Sequence, residues 1–296
     1  MNVSKSWALV LMGGGARGLA HVGVLRVLEK NGLRPAIVAG TSMGALVGGL
    51  YAAGISGAKL TEMLSGLRID NFSRIGSPPK LFKRPKNLFE YVLFADYKNR
   101  FFGTLSRHKL DTIEAYLKCC VGEVRIEDLP VRFVCNAVDL VTGKEVLFTR
   151  GPLYKALRTT MSLPLVVAPV KMGRMLLLDG GVLNSAPVEA ARDLGAEVTV
   201  LVDIHRPLKR VPAARIKSPF QVVQRTLDVA WAAAFEERAR AADFVIRVPV
   251  DLGILEFSET RRIAMKGERA ARASLEALKE AIGACEGAVP GEDRPS

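Results

Sequence analysis

The sequence predicts an α/β protein, a three-layer α/β/α sandwich around a mainly parallel central sheet. Three observations carry this expectation. Short apolar runs recur along the 296 residues, each stopped by glycine or a turn. Segments with apolar residues at helical spacing alternate with those runs. The runs also lack the in-and-out polarity of a half-solvated sheet, as strands covered on both faces do. The bulk composition agrees: 49% of residues are hydrophobic and 24% charged, a globular balance. A formal charge of +12 biases the surface toward anionic partners.

Residues 7–12 form the first apolar run, closed by three glycines. Leu19, Val22, Val24, Leu25 and Leu28 then keep helical spacing until Asn31-Gly32 ends the helix. The segment 36–55, AIVAGTSMGALVGGLYAAGI, lies in a run without charge between Arg34 and Lys59. Its length alone would span a membrane. Its glycines divide it better into a buried strand at 37–39, a turn at Gly40-Thr41-Ser42-Met43-Gly44, and a helix to about 53. Further strands are expected at 131–138, 145–148, 175–178, 198–202 and 244–248. Helices are expected at 110–121, 187–194, 219–241 and 258–283. The core therefore runs over 7–208, a helical region at 209–287 packs on it, and 288–296 reads as a disordered tail.

Residues 68–109 break this rhythm. They hold ten Lys or Arg against three Asp or Glu, with aromatics interleaved. The segment reads as an insertion, suited to a lid or to an interface where apolar groups dip in and cations meet anionic headgroups. No nucleic-acid motif accompanies the basic charge, so nucleic acid is not expected as a partner. The N-terminus has too short an apolar stretch for a secretory signal. Cys119, Cys120, Cys135 and Cys285 form no C-x-x-C pair, and three histidines offer no zinc pattern. Reduced thiols, a cytoplasmic location and no metal follow as expectations.

Three short patterns carry chemistry. Gly13-Gly14-Gly15-Ala16-Arg17-Gly18 follows a strand and opens a helix, and formally fits G-x-G-x-x-G. A dinucleotide site would need an acidic residue at the end of the second strand, yet none occurs between Glu29 and Glu62. No Gly-Lys-Ser/Thr follows for a P-loop. What remains is a set of converging N–H groups at a helix start, able to stabilise an anion or an oxyanion. Arg17 could meet a lipid phosphate or a structural carboxylate. In Gly40-Thr41-Ser42-Met43-Gly44, a G-x-S-x-G turn between strand and helix exposes the Ser42 hydroxyl and offers the Met43 N–H to an oxyanion. In Asp179-Gly180-Gly181, an aspartate ends an apolar strand at the same sheet edge. His205 lies downstream, so Ser42, Asp179 and His205 also keep the chain order of an α/β-hydrolase triad.

The glycine loop, G-x-S-x-G and D-G-G, in that order, resemble the patatin-like phospholipase family over roughly residues 7–203. The resemblance implies a Ser42–Asp179 dyad with Asp179 as base, and an oxyanion hole from Gly13 to Gly18, with no cofactor. It also implies that Ser162 and Pro164, within RTTMSLPLVVAPV, sit beside the site. Gly40 and Gly44 would form the elbow, and Gly180 and Gly181 would support the aspartate. The expected reaction is hydrolysis of phospholipid or lysophospholipid acyl esters, with peripheral contact to an anionic membrane. Two rivals stand beside it: a triad esterase using His205, and a non-catalytic membrane-associated regulator on the same fold.

Overall fold

The computed structural model describes residues 5–65, 107–164, 167–208, 210–216, 219–253 and 259–283. Most of the basic insertion and the C-terminal tail lie outside the described residues. Among the described residues, eight strands form one sheet in the order β5-β6-β3-β2-β1-β7-β8, with β4 paired to β3. The strands are β1 (Trp7–Leu11), β2 (Ile37–Gly40), β3 (Arg132–Asp139), β4 (Lys144–Phe148), β5 (Val170–Met172), β6 (Met175–Asp179), β7 (Val198–Asp203) and β8 (Phe244–Arg247).

The heart of the sheet, β3-β2-β1-β7-β8, is parallel. Strands β1 and β2 are buried along their whole length. That is why their sequences, WALVL and IVAG, carry no polar alternation. The sheet is mixed overall, because β4 and β6 both run antiparallel to β3, and β5 antiparallel to β6. Two of these reversals, β3 to β4 and β5 to β6, follow from short connections. Asp139 accepts from the Val141 N–H and the Thr142 hydroxyl, closing the β3–β4 turn, and Gly173 at φ 61 turns β5 into β6.

Helices cover both faces. On one side lie α1 (Ala20–Lys30), α2 (Met43–Ala52) and α3 (Gly57–Ser65). The chain continues through α4 (Arg107–Val121), α5 (Leu153–Thr160), α6 (Val188–Asp193) and α7 (Pro219–Arg240). Helix α2 is buried at every position and lies over β1, β2 and β3. Its glycines permit that approach: a Cβ on Gly48 would come within 2.7 Å of the Val38 side chain. Helix α6 packs against β1, β2 and β7.

The helix expected at 258–283 is two, α8 (Thr260–Ala273) and α9 (Leu275–Ala281), separated at Ser274. Helix α8 crosses α1 at glycine-to-backbone contact. A Cβ on Gly23 would overlap the Ala264 carbonyl oxygen, and one on Gly267 would overlap that of Ala20. Arg26 and Glu268 pair at the margin of this crossing, 2.6 Å apart. No helix among the described residues is long and apolar enough to cross a membrane. Residues 36–55 are instead β2, a turn and α2 with its C-terminal loop.

Candidate active site

The register of the sheet brings Ser42 and Asp179 together. Gly40, the last residue of β2, pairs with Cys135, while Ala137 pairs with Asp179 on β6. The partner of Asp179 on β3 thus lies two residues beyond the end of β2, as Ser42 lies two beyond Gly40. The aspartate reaches the same rim from an antiparallel strand, a geometry the sequence motif alone does not specify.

Ser42 stands between β2 and α2 at φ 54, ψ −124, the sole positive-φ residue other than glycine among the described residues. Such a conformation costs on the order of 1–3 kcal/mol and persists only where its surroundings impose it. Here they are tight. A Cβ on Gly40 would lie 2.7 Å from the Ala45 nitrogen, and one on Gly44 would overlap the Leu11 carbonyl oxygen. The Ser42 N–H donates to the Thr160 hydroxyl at the end of α5 (2.9 Å), and its carbonyl accepts from Leu46 N–H (2.9 Å). The strain is therefore held by the helix behind the turn and by α5 in front of it.

Asp179 is 2% exposed. Its Oδ1 accepts from the Gly181 N–H at 2.8 Å. Burial raises its pKa from 3.8 to about 6, and the Ser42 hydroxyl and the Gly181 amide oppose that rise as partners of the charged form. Oδ2 is buried and has no partner of full hydrogen-bond geometry. The hydroxyl and the carboxyl are thus in reach of one another without being locked, as is common before substrate arrives.

The glycine loop closes the third side. Gly13 N–H donates to the Ser185 carbonyl (2.8 Å). A Cβ on Gly13 would lie 3.3 Å from the Thr41 carbonyl oxygen and 3.5 Å from the Ser42 Cβ, so the loop runs against the serine turn. Gly15 adopts φ 56 and begins a 3-10 turn over Gly15–Leu19 that leads into α1. Gly14 and Gly15 are part-exposed, and their N–H groups, like that of Met43 at the start of α2, enter no backbone hydrogen bond among the described residues. Ala16 is buried, and Gly18 leaves the space that the Met43 side chain fills. Arg17 donates from Nε to the Gly14 carbonyl (3.3 Å), and its charge acts on Asp203, which fits the structural-carboxylate alternative for this residue.

Other sequence candidates separate from the pair. Ser162 is fully buried, accepts from Arg158 Nη1 (2.8 Å), and offers its carbonyl to the Asp179 N–H (3.1 Å). It backs the aspartate rather than lining an open wall. Pro164 is part-buried, and the next two residues lie outside the described ones. Gly180 is glycine because the Asn136 side chain occupies the place of a Cβ, and Gly181 supplies the amide to Asp179. His205 stacks on Phe235 at 4.6 Å and its N–H donates to Asp203. No histidine contributes to the Asp179 shift. His21 is wholly buried, holds the Met12 carbonyl through Nε2 (2.8 Å), and is kept neutral by burial, with its pKa lowered to about 4. Three residues went unnoticed in the sequence: Thr160, Asn136 and Asn184. Only Asn136 carried a signal, as an amide inside an otherwise apolar strand.

No cluster among the described residues could hold a metal. A strained serine on a strand-to-helix turn, a buried carboxyl and amides without backbone partners at two helix starts thus meet at one rim of an α/β sheet. Residues 9–192 match the sequence profile of the patatin-like phospholipase family, and the chain belongs to that family. An NTE family protein of Mycobacterium tuberculosis is 35% identical over 201 residues, 67% of this chain and 49% of the relative. Lysophospholipase NTE1 of Pyricularia oryzae is 30% identical over 210 residues, 71% of this chain and 13% of the relative. The chain thus spans about half the length of the mycobacterial relative and a small part of the fungal one. Among solved structures, VipD of Legionella pneumophila shares the fold, with a TM-score of 0.50, 12% identity, and coverage of 93% of this chain and 67% of that one.

Proposed function

We propose that the protein hydrolyses acyl esters of phospholipids or lysophospholipids through Ser42 and Asp179. The observation that carries this reading is the strained Ser42 beside a buried carboxyl whose pKa is lifted to about 6. A carboxylate of that basicity accepts the Ser42 proton as Oγ attacks the ester carbonyl. The carboxylic acid so formed protonates the departing alcohol. Water then attacks the acyl-serine as Asp179 takes its proton, the acyl–Oγ bond breaks as Asp179 returns that proton to Ser42, and the fatty acid leaves with the free dyad restored. The amides of Gly14, Gly15 and Met43 are the donors available to the oxyanion. The family's name and the lysophospholipase relatives support a lipid ester as substrate. The position of His205, stacked on Phe235 and bonded to Asp203, favours a dyad over a triad.

Labelling with a fluorophosphonate probe tests the assignment. Wild type is expected to react and Ser42→Ala to be silent, with Asp179→Asn slowed by at least about 1000-fold. Undiminished labelling of Ser42→Ala would end the proposal by placing the nucleophile elsewhere, whereas a biological role left intact in Ser42→Ala would favour the non-catalytic regulator.

A further inference from the structure

Behind the site lies a polar network, buried at Thr41 and Asn136 and reaching the surface at Glu145, of which only Thr41 belongs to the three motifs. Asn136, in the middle of β3, is 0% exposed, as is Thr41. The Thr41 hydroxyl donates to Asn136 Oδ1 at 2.8 Å, with the Asn184 carbonyl a longer alternative at 3.1 Å. Asn136 Nδ2 donates both to the Asn184 carbonyl (2.8 Å) and to Glu145 Oε1 on β4 (2.6 Å). Asn184 Nδ2 donates to that same Glu145 oxygen at 3.0 Å. A carbonyl and a carboxylate can only accept, so the amide of Asn136 has one workable orientation. An amide in a dry strand is costly unless its groups are engaged, and here both N–H groups and the oxygen are.

Each arm of this network ends at a piece of the site. Thr41 is the residue before Ser42. The Asn184 N–H returns to the Gly180 carbonyl (2.8 Å), and Ser185, next along, receives the Gly13 N–H of the glycine loop (2.8 Å). Asn136 also fills the space left by the missing Gly180 side chain. The serine turn, the aspartate turn and the glycine loop are therefore referenced to one amide.

Resting on the Ser42–Asp179 reading above, we propose that Asn136, acting through Thr41 and Asn184, is a positioning residue. It fixes the spacing of the Ser42 hydroxyl, the Asp179 carboxyl and the glycine-loop amides. The network touches no substrate. Its loss leaves the parts present and misaligned, so it moves turnover rather than binding, and an offset near 1 Å can cost about 100-fold.

Thr41→Val tests this with the side-chain shape kept, Asn136→Leu does so from the other end, and Thr41→Ser is the conservative control. In the full chain, kcat and KM for a water-soluble p-nitrophenyl ester are measured per site titrated with fluorophosphonate. Hydrogen exchange is followed at the Gly181 and Asn184 amides. Thr41→Val and Asn136→Leu are expected to lower kcat per titrated site about 10- to 100-fold. KM is expected to stay within about 2-fold. Thr41→Ser recovers most of the rate, and exchange at both amides accelerates in Thr41→Val. Unchanged kcat per site, with any loss confined to the yield of folded protein, overturns the proposal. A wild type that neither labels nor turns over overturns the esterase reading instead, and exchange at Gly181 and Asn184 in Thr41→Val then decides by itself whether the network holds the loop.

Discussion

Asp179 and Asp203 end two strands of one sheet in the same local form, and their surroundings make them different groups. Each accepts, through Oδ1, the N–H of the residue two positions on: Gly181 at 2.8 Å and His205 at 2.7 Å. In both, burial raises the pKa above 3.8. Around Asp203, however, Arg247, Arg17 and His205 supply opposing charge. Around Asp179, among the described residues, the opposing groups are a hydroxyl and an amide. Around a strand-terminal aspartate set among cations, charge opposes the rise that burial causes; facing a serine, the same residue is opposed by hydrogen bonds alone.

The largest expected effect separates the two. Asp179→Asn should lower kcat by about 1000-fold or more, whereas Asp203→Asn and His205→Ala should each stay within about 10-fold. Steady-state kinetics on a soluble ester would break the comparison if Asp203→Asn or His205→Ala proved as damaging as Asp179→Asn.

The pH response sharpens it. On the proposed dyad, hydrolysis needs the Asp179 carboxylate, so kcat/KM should rise about tenfold per unit toward a bend near pH 6 and then level off. His205→Ala should leave that bend in place. Stability moves the other way. The folded pKa, about 6, lies above the ordinary 3.8. The contribution of Asp179 is therefore fully present below pH 3.8 and is lost as pH rises through 6. At neutral pH the ionised group costs on the order of 2–3 kcal/mol, and Asp179→Asn should raise the melting temperature there but not at pH 4. Wholly buried His21 opposes this trend. Its folded pKa, about 4, lies below 6.5, so its contribution is present above 6.5 and is lost as pH falls through 4.

The smallest effect concerns strain. Glycine adopts φ 54 freely, so Ser42→Gly should abolish labelling while stabilising the fold by about 1 kcal/mol. Chemical denaturation would measure it. A destabilised Ser42→Gly would mean that the turn is not strained as its backbone angles indicate.

Much of this site was legible in the sequence because its parts are local. A glycine-stopped strand, a G-x-S-x-G turn and a D-G-G turn each show themselves within six residues. What escaped is what depends on distant partners. Strand β6 reads as any apolar run, and its sense against β3 depends on a partner about forty residues away. Helix α5 is short and amphipathic, but nothing local in Leu153–Thr160 shows that Thr160 would meet the Ser42 N–H or that Arg158 would hold Ser162 behind Asp179. Asn136 was visible as an oddity in RFVCNAVD, but its partners lie 95 residues before and 48 after. The break at Ser274 has no proline or glycine to mark it in the sequence.

The crossing of Gly23 with Gly267 bears on how the molecule is assembled during synthesis. The first helix meets its snuggest neighbour only after more than two hundred further residues have left the ribosome, and closing so long a loop is slow. Until then the surface around Gly23 stays bare. A chain cut before Thr260 should therefore clump or be degraded even with every reacting group intact, and a separately supplied 259–283 peptide should rescue it if that groove is otherwise complete.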